Sequence, residues 1–203
     1  MVEIGLFPLP MVLLPTEQVP LHIFEERYKE LIGECLAEDS AFGLLYADGE
    51  GLKEIGTEAV VIEVLTQFDD GRMNVLVEGG TRFRVHELTG GRSFQTGSTS
   101  PLLDEDDPAA PGSIAHALEL FDHLRELTES EVELPPAETP ELSYALAARV
   151  ELEPDVKQEL LEATSERTRL DRVCELLVDA AAMVERHRRA AERAATNGKV
   201  DLS

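Results

Sequence analysis

Basic residues are scarce in this sequence. Its 203 residues include 18 Lys and Arg against 41 Asp and Glu, which gives a formal net charge of −23 at pH 7. Because phosphate groups are bound chiefly by Lys and Arg, this charge argues against a nucleic-acid surface and against contact with anionic lipids. No apolar run approaches the roughly 20 residues that span a bilayer. We therefore expect no nucleic acid and no membrane among the partners of this protein.

Cysteine is also rare. Cys35 and Cys174 both fall within apolar helical patterns and have no paired spacing, so we interpret them as reduced core residues. The first ten residues, MVEIGLFPLP, contain neither the basic region nor the long apolar region of a signal peptide. The sequence therefore predicts a cytoplasmic protein.

The sequence contains no recognisable catalytic or metal-binding motif. His116 and His123 lie seven residues apart on one predicted helix face, but no third ligand follows at helical spacing. The acidic run from Asp104 to Asp107 lacks the glycine and the ligand spacing of a calcium loop. No serine lies in a motif that would place it on a strained nucleophile turn. We therefore expect no metal, no cofactor and no catalytic residue.

The clearest structural pattern runs from Glu54 to Val85. Apolar residues alternate with others on both sides of the turn sequence Asp69-Asp70-Gly71, which predicts a β-hairpin. The alternating residues are Val60, Ile62 and Val64 before the turn, and Met73, Val75 and Val77 after it. Gly79-Gly80 interrupts the pattern before it resumes at Phe83, so we predict three successive strands in a meander.

The segments before this region complete a small sheet. Glu3–Phe7 and Met11–Leu14 are short, apolar and bounded by prolines, so we expect them at the rim. From Leu21 onward the apolar residues recur with the period of a helix, and Phe42–Tyr46 is another short strand. The first hundred residues therefore predict six or seven short strands with one helix, as in a small closed or half-closed barrel.

The second half of the chain has a different character. Residues 100–112, SPLLDEDDPAAPG, combine prolines with consecutive acidic residues, as linkers do. The apolar residues then keep a helical period to the end, which predicts a bundle of about four helices. We therefore predict an α+β protein with a β-barrel domain in residues 1–103 and a helical bundle domain in residues 112–196.

Four stretches resemble the amino-terminal, substrate-binding domain of the Lon protease. Each is weak alone, but they occur in the same order and spacing across nearly the whole chain. They are Phe7–Leu9 with Leu14-Pro15 and Val19–Leu21, then Glu54–Thr57, then Val75–Gly79 with Arg82 and Arg84, and finally Asp155–Glu162 with Arg169-Leu170.

The resemblance implies a fold and a role. The fold is a β-barrel related to the pseudouridine-synthase-and-archaeosine-transglycosylase (PUA) type, followed by helices, and the role is recognition of unfolded or tagged polypeptide. The ATPase and the Ser-Lys peptidase of the full protease have no counterpart here, because no phosphate-binding loop occurs and the chain is too short for either. We therefore expect a free-standing receptor domain that is not an enzyme.

Four charged residues surround the Gly79-Gly80 break. Glu78, Arg82 and Arg84 flank it in the sequence, and Arg27 lies on the first predicted helix. We interpret them as a structural ion pair that holds this turn against the barrel, with contact to a ligand as the alternative.

Three apolar residues are candidates for binding polypeptide. Phe68 and Met73 flank the predicted hairpin turn, and Met11 lies between proline-bounded strands. Flexible and aromatic side chains at an accessible edge suit recognition of unfolded chains, and the alternative for each residue is a place in the core.

The sequence as a whole favours a polypeptide-binding module that recognises unfolded or tagged chains or a dedicated protein partner, and that is a monomer or a weak dimer. An RNA-binding module is one alternative, since barrels of the PUA type also bind RNA. A hydrolase of unknown substrate is another, and it would require a buried, perturbed pair of titratable groups in a deep pocket.

Overall fold

A computed structural model describes the backbone of residues 1–197, and all their side chains except those of residue 192 and residues 194–197. Its first half is mainly strand and its second half is helical. The strands are β1 (Val2–Leu9), β2 (Gln18–Ile23), β3 (Phe42–Asp48), β4 (Gly51–Gln67), β5 (Met73–Thr89) and β6 (Thr96–Pro101). The helices are α1 (Glu26–Glu38), α2 (Pro111–Thr128), α3 (Leu142–Ala147), α4 (Pro154–Glu162) and α5 (Glu166–Asn197). The predicted α+β architecture is confirmed.

The six strands form one sheet that closes on itself. Their order is β2-β5-β4-β3-β1-β6, and a further pairing of β5 with β6 joins five of them into a ring, with β2 outside it on β5. β1 is shared between two neighbours, because Val2–Gly5 pair with β6 and Leu6–Leu9 pair with β3. Pro8 thus has a partner strand on one side only, which is the position that a residue without an N–H tolerates.

The predicted three-strand meander is wrong. β4 and β5 are two long strands of 17 residues each, and the chain continues through Gly79-Gly80 without reversing. The register shifts there, since Thr57 pairs with Arg82 while Ala59 pairs with Gly79. Glycine is required at position 79, because a Cβ atom would lie 2.1 Å from the carbonyl oxygen of Leu14. Close backbone contact, not a turn, accounts for this glycine.

Helix α1 begins later than its apolar period predicts. The pattern starts at Leu21, but residues 18–23 pair with β5 as strand β2, and the helix begins at Glu26. Its buried face packs on the sheet through Tyr28, Leu31 and Ile32.

The sheet and the helices share a hydrophobic core. One buried cluster combines Val12, Leu14 and Ile55 of the sheet half with Phe121 of α2 and Leu170 of α5. This core is continuous between the two halves and does not itself mark a boundary. The division into domains at residues 103 and 112 stays a prediction.

The sequence predicts no membrane span, no metal site and no disulfide. In the part that the structure describes, none of the helices has both the length and the hydrophobicity needed to cross a bilayer. The same residues contain no cluster of three His, Cys, Asp or Glu side chains placed to hold a metal ion. Cys35 is buried, Cys174 is partly buried, and neither forms a disulfide.

Candidate functional site: an exposed apolar arm

The outer halves of β4 and β5 project from the closed sheet as an arm. We define it as residues 60–67 of β4, the turn 68–72 and residues 73–78 of β5. β3 pairs with β4 only as far as Ala59, and among the described residues the remainder of β4 pairs with β5 alone. The arm therefore has one free edge along β4.

Two β-bulges determine which way the arm's side chains point. Val61 pairs with Val77, Val64 with Val75 and Gln67 with Met73, so Ile62 and Leu65 lie in places where the register shifts. Residues paired across a sheet share a face. Residues on the same face of β4 are thus three positions apart in the arm, not two. The apolar alternation in the sequence has a period of two, so it does not follow one buried face here.

The bulges leave large apolar side chains in solvent. Every residue from Ile62 to Asp70 is exposed. The exposed fraction is 44 % for Ile62 and 46 % for Leu65. We call the following set the apolar arm surface: Phe24, Val60, Ile62, Val64, Leu65 and Phe68. Exposed apolar side chains are ordinary when single, but several of them along one strand and its turn are typical of an interaction site.

An aromatic cluster lies at the tip of the arm. The ring of His22 stacks on Phe24 at 5.8 Å and meets the edge of Phe68 at 6.3 Å. Nδ1 of His22 lies 2.6 Å from Oδ1 of Asn74, and the guanidinium of Arg72 lies 5.2 Å from the centre of the Phe68 ring. Phe24, 59 % exposed, thereby joins the apolar arm surface through His22.

The arm is held from behind by α1. Met73, Val75 and Val77 of β5 are buried in the same cluster as Leu31 and Ile32 of the helix. Lys29 adds a hydrogen bond from its Nζ to the carbonyl oxygen of Asp70, at 3.0 Å. The apolar arm surface is therefore presented on a fixed support.

A second polar site joins the sheet to the helices. Arg82, only 3 % exposed, donates to the carbonyl oxygens of Leu161 and Ala163, both at 2.7 Å, and forms an ion pair with Asp104. Arg169 of α5 is fully buried and pairs with the same Asp104. We call Arg82, Asp104 and Arg169 the interlock. Since each of its charges is paired and hydrogen-bonded, it has the properties of a structural connection.

Tyr144 packs against both arginines of the interlock. The Arg169 guanidinium lies 4.1 Å from the centre of its ring and that of Arg82 lies 5.5 Å away. Burial raises the pKa of the Tyr144 hydroxyl, which donates to the carbonyl oxygen of Leu160 at 3.2 Å. The tyrosine is thus neutral, and it stabilises the two cations through its ring.

A comparison with protein families identifies the chain. The family model of the substrate-binding domain of ATP-dependent protease La (Lon) matches residues 3–179. The chain belongs to this family. Two solved structures have the same fold. A Lon N-terminal domain protein from Xanthomonas campestris is 25 % identical, with a TM-score of 0.69 over 85 % of this chain and 97 % of that one. The N-terminal domain of a Lon protease from the Mycobacterium avium complex is 16 % identical, with a TM-score of 0.65 over 89 % of this chain and 98 % of that one.

The charged residues predicted to form one ion pair in this Lon-family domain do not meet. Arg27 pairs with Glu25 and Arg84 with Glu54, while Gln18 donates to Glu78. The physical reason is that β5 runs straight on through residues 79 and 80. Glu78 and Arg82 therefore face different neighbours instead of facing each other across a turn.

The three predicted binding residues differ in exposure. Phe68 lies at the tip and belongs to the apolar arm surface. Met11 is half-buried against the core, and Met73 is only 7 % exposed, on the face covered by α1. A role for each of them in binding stays a prediction, and Phe68 is the one that solvent reaches best.

Sequence reasoning missed the exposure of the rest of the Lon-family arm. The sequence predicts Ile62 and Val64 as residues of an alternating strand and Phe24 as part of the apolar face of the first helix, and it assigns no role to Leu65. One signal was present: Val60–Leu65 is apolar at successive positions, interrupted only by Glu63, and so departs from strict alternation. Such a run in a strand indicates either burial on both faces or, as here, exposure on both.

Proposed function

We propose that this protein is a non-catalytic polypeptide-binding module that holds exposed apolar segments of unfolded chains on its apolar arm surface. The observation that supports the proposal is the run of large apolar side chains on the outer half of β4, each of which is 39–46 % exposed. A substrate-binding role is what the family's description names for this domain.

The arm suits a polypeptide better than a small molecule. Small ligands occupy concave pockets that bury most of their surface, whereas Ile62, Val64 and Leu65 project from a strand that is exposed on both faces. A chain lying along the free edge of the strand would contact side chains on both faces, and each contributes favourable free energy as it leaves water. Binding of this kind depends on apolar content more than on one sequence.

The free edge of β4 adds backbone groups to the same surface. Beyond Ala59 one side of the strand has no partner strand among the described residues. The bulges at Ile62 and Leu65 interrupt this edge, and interruptions of that kind discourage long regular pairing with another sheet. The proposal therefore assigns the affinity to side-chain burial and not to an added strand.

Titration with an unfolded polypeptide tests the proposal. A fluorescently labelled protein whose cysteines have been blocked with iodoacetamide, so that it cannot refold, serves as the probe, and its anisotropy reports binding. The double variant Ile62→Ser with Leu65→Ser removes two apolar side chains, and we expect its Kd to be about tenfold higher than that of the wild type.

The chain offers a matched control for this experiment. Leu88 is 50 % exposed and lies near the other end of β5, far from the arm. Leu88→Ser removes about as much exposed apolar surface as either single arm substitution and is expected to leave the Kd unchanged. Equal affinity of the wild type and the arm variant, or an equal loss in the Leu88 variant, contradicts the proposal.

A further inference from the structure

The cations near the arm are already paired with carboxylates of this chain. Nη2 of Arg27 lies 2.8 Å from Glu25 and Nζ of Lys29 lies 2.8 Å from Glu26. At the turn, Nε of Arg72 lies 2.7 Å from Asp70. No positive charge of these three side chains is left without a partner to meet an acidic ligand.

Two exposed carboxylates on the arm have no such partner. Glu63 lies between Ile62 and Val64, and Asp69 directly follows Phe68; both are exposed. Among the described residues, no Lys, Arg or His nitrogen lies within 4.0 Å of either carboxylate. The apolar arm surface therefore carries one unpaired negative charge near its middle and another at its tip.

We propose that the polypeptides held by this arm are apolar segments flanked by Lys or Arg, and that acidic segments are rejected. This inference rests on the proposed function and specifies its substrate class. An apolar core would cover the exposed apolar side chains between the two carboxylates, Val64, Leu65 and Phe68, while flanking cations would lie beside Glu63 and Asp69. Charge complementarity of this kind favours encounter with cationic segments and disfavours juxtaposed like charges.

A second copy of this chain is a poorer occupant of the same surface. Each chain carries a formal net charge of −23, so two copies repel each other. An arm-to-arm contact would also bring Glu63 and Asp69 of one copy towards those of the other. The cationic polypeptide removes both conflicts.

Three labelled peptides with one apolar core test the inference. The core is flanked on each side by two lysines, two serines or two glutamates, and binding is measured by anisotropy in 20 mM and 500 mM NaCl. In low salt we expect the lysine peptide to bind about tenfold more tightly than the glutamate peptide, with the serine peptide between them. In high salt the difference falls to about twofold, because exposed charges are screened.

A pair of double variants locates the effect. Glu63→Gln with Asp69→Asn is expected to reduce the tenfold preference to about threefold or less. Glu87→Gln with Asp106→Asn removes two exposed carboxylates elsewhere, one of them at the far end of β5, and is expected to leave the preference intact. The total charge of the two variants is the same.

The outcomes separate this inference from the proposed function. If all three peptides bind with equal affinity, the proposed function stands and the inference is overturned. An equal reduction by both double variants also overturns it, because the total charge and not the arm would then be responsible. Failure of all three peptides to bind in either salt overturns both. Self-association of the wild type through the arm in high salt overturns the choice of occupant.

Discussion

Arg169 and Asp104 are joined by two parallel hydrogen bonds. Nη1 of Arg169 lies 3.0 Å from Oδ1 of Asp104, and Nη2 lies 2.6 Å from Oδ2. The arginine belongs to the last helix, the aspartate follows the last strand, and Arg82 of β5 pairs with the same carboxylate. One aspartate thus connects the two halves of the fold, and it offers the clearest test of how they are held together.

Asp104→Asn is expected to destabilise the protein by about 2–4 kcal/mol, because it leaves the buried guanidinium of Arg82 without a counter-charge and leaves that of Arg169 with Glu166, at 2.7 Å, as its nearest one. Urea denaturation measures the loss. Asp106→Asn, two residues along the same loop and exposed, is the control and is expected to cost less than about 0.5 kcal/mol. A similar small effect for both variants would show that the interlock contributes little to stability.

Alanine substitutions at two adjacent glycines are expected to differ in their effect on stability. A Cβ atom at Gly79 would lie 2.1 Å from the Leu14 carbonyl oxygen, whereas at Gly80 the nearest atom, the carbonyl oxygen of Glu58, is 3.5 Å away. Gly79→Ala is therefore expected to cost more than about 2 kcal/mol, since backbone must move, and Gly80→Ala less than about 0.5 kcal/mol. Thermal unfolding of the two variants measures the difference, and comparable melting temperatures would contradict it.

The stability of the protein is expected to depend on pH through Glu58. Burial raises the pKa of this carboxyl above its ordinary value of 4.5. The folded state therefore binds the proton more tightly than the unfolded chain, and the ionised carboxylate lowers stability at pH values above the folded pKa. Glu58→Gln is expected to melt at a higher temperature than the wild type at pH 7.5. The advantage should shrink as the pH falls through the folded pKa towards 4.5.

Glu87→Gln provides the control for that measurement, because it removes the same charge from an exposed position. Thermal unfolding between pH 7.5 and pH 5.5 compares the two variants. If they raise the melting temperature equally, or if the advantage of Glu58→Gln grows as the pH falls, burial of the Glu58 carboxylate is not the cause.

The apolar arm surface is expected to be unimportant for folding. Ile62→Ser and Leu65→Ser alter side chains that solvent already reaches, so each should cost less than about 1 kcal/mol. Leu170→Ala, in the fully buried core, is expected to cost about 2–5 kcal/mol. Urea denaturation distinguishes these cases. A large loss from either arm variant would mean that the arm serves the fold.

The family and the α+β architecture could be predicted from the sequence, because short motifs and changes of period are local signals. The exposure of the arm could not. The bulges at Ile62 and Leu65 shift the register of β4, and an apolar alternation contains no information about where such a shift occurs. The prediction of a strand break at Gly79-Gly80 is wrong for a similar reason, since close approach to Leu14 and a chain reversal both favour glycine.

The interlock was equally inaccessible to sequence reasoning. Asp104 was assigned to a solvated linker, and Arg82 was expected to pair with nearby Glu78. Its actual partners are 22, 79 and 81 residues away along the chain. Contacts at such separations are set by how the helices pack on the sheet, which no local pattern of residues specifies.

Hydrogen exchange of the wild-type protein with and without the lysine-flanked peptide tests the central claim most directly, because it needs no variant. Amides of residues 60–68 that lack a partner strand exchange readily, and bound polypeptide would shield them. We predict that exchange in peptic fragments covering residues 60–72 slows by about tenfold at saturating peptide, while fragments of α2 and α5 are unchanged. Measurable binding with protection confined to the helical half, or with no protection on the arm, would contradict the account.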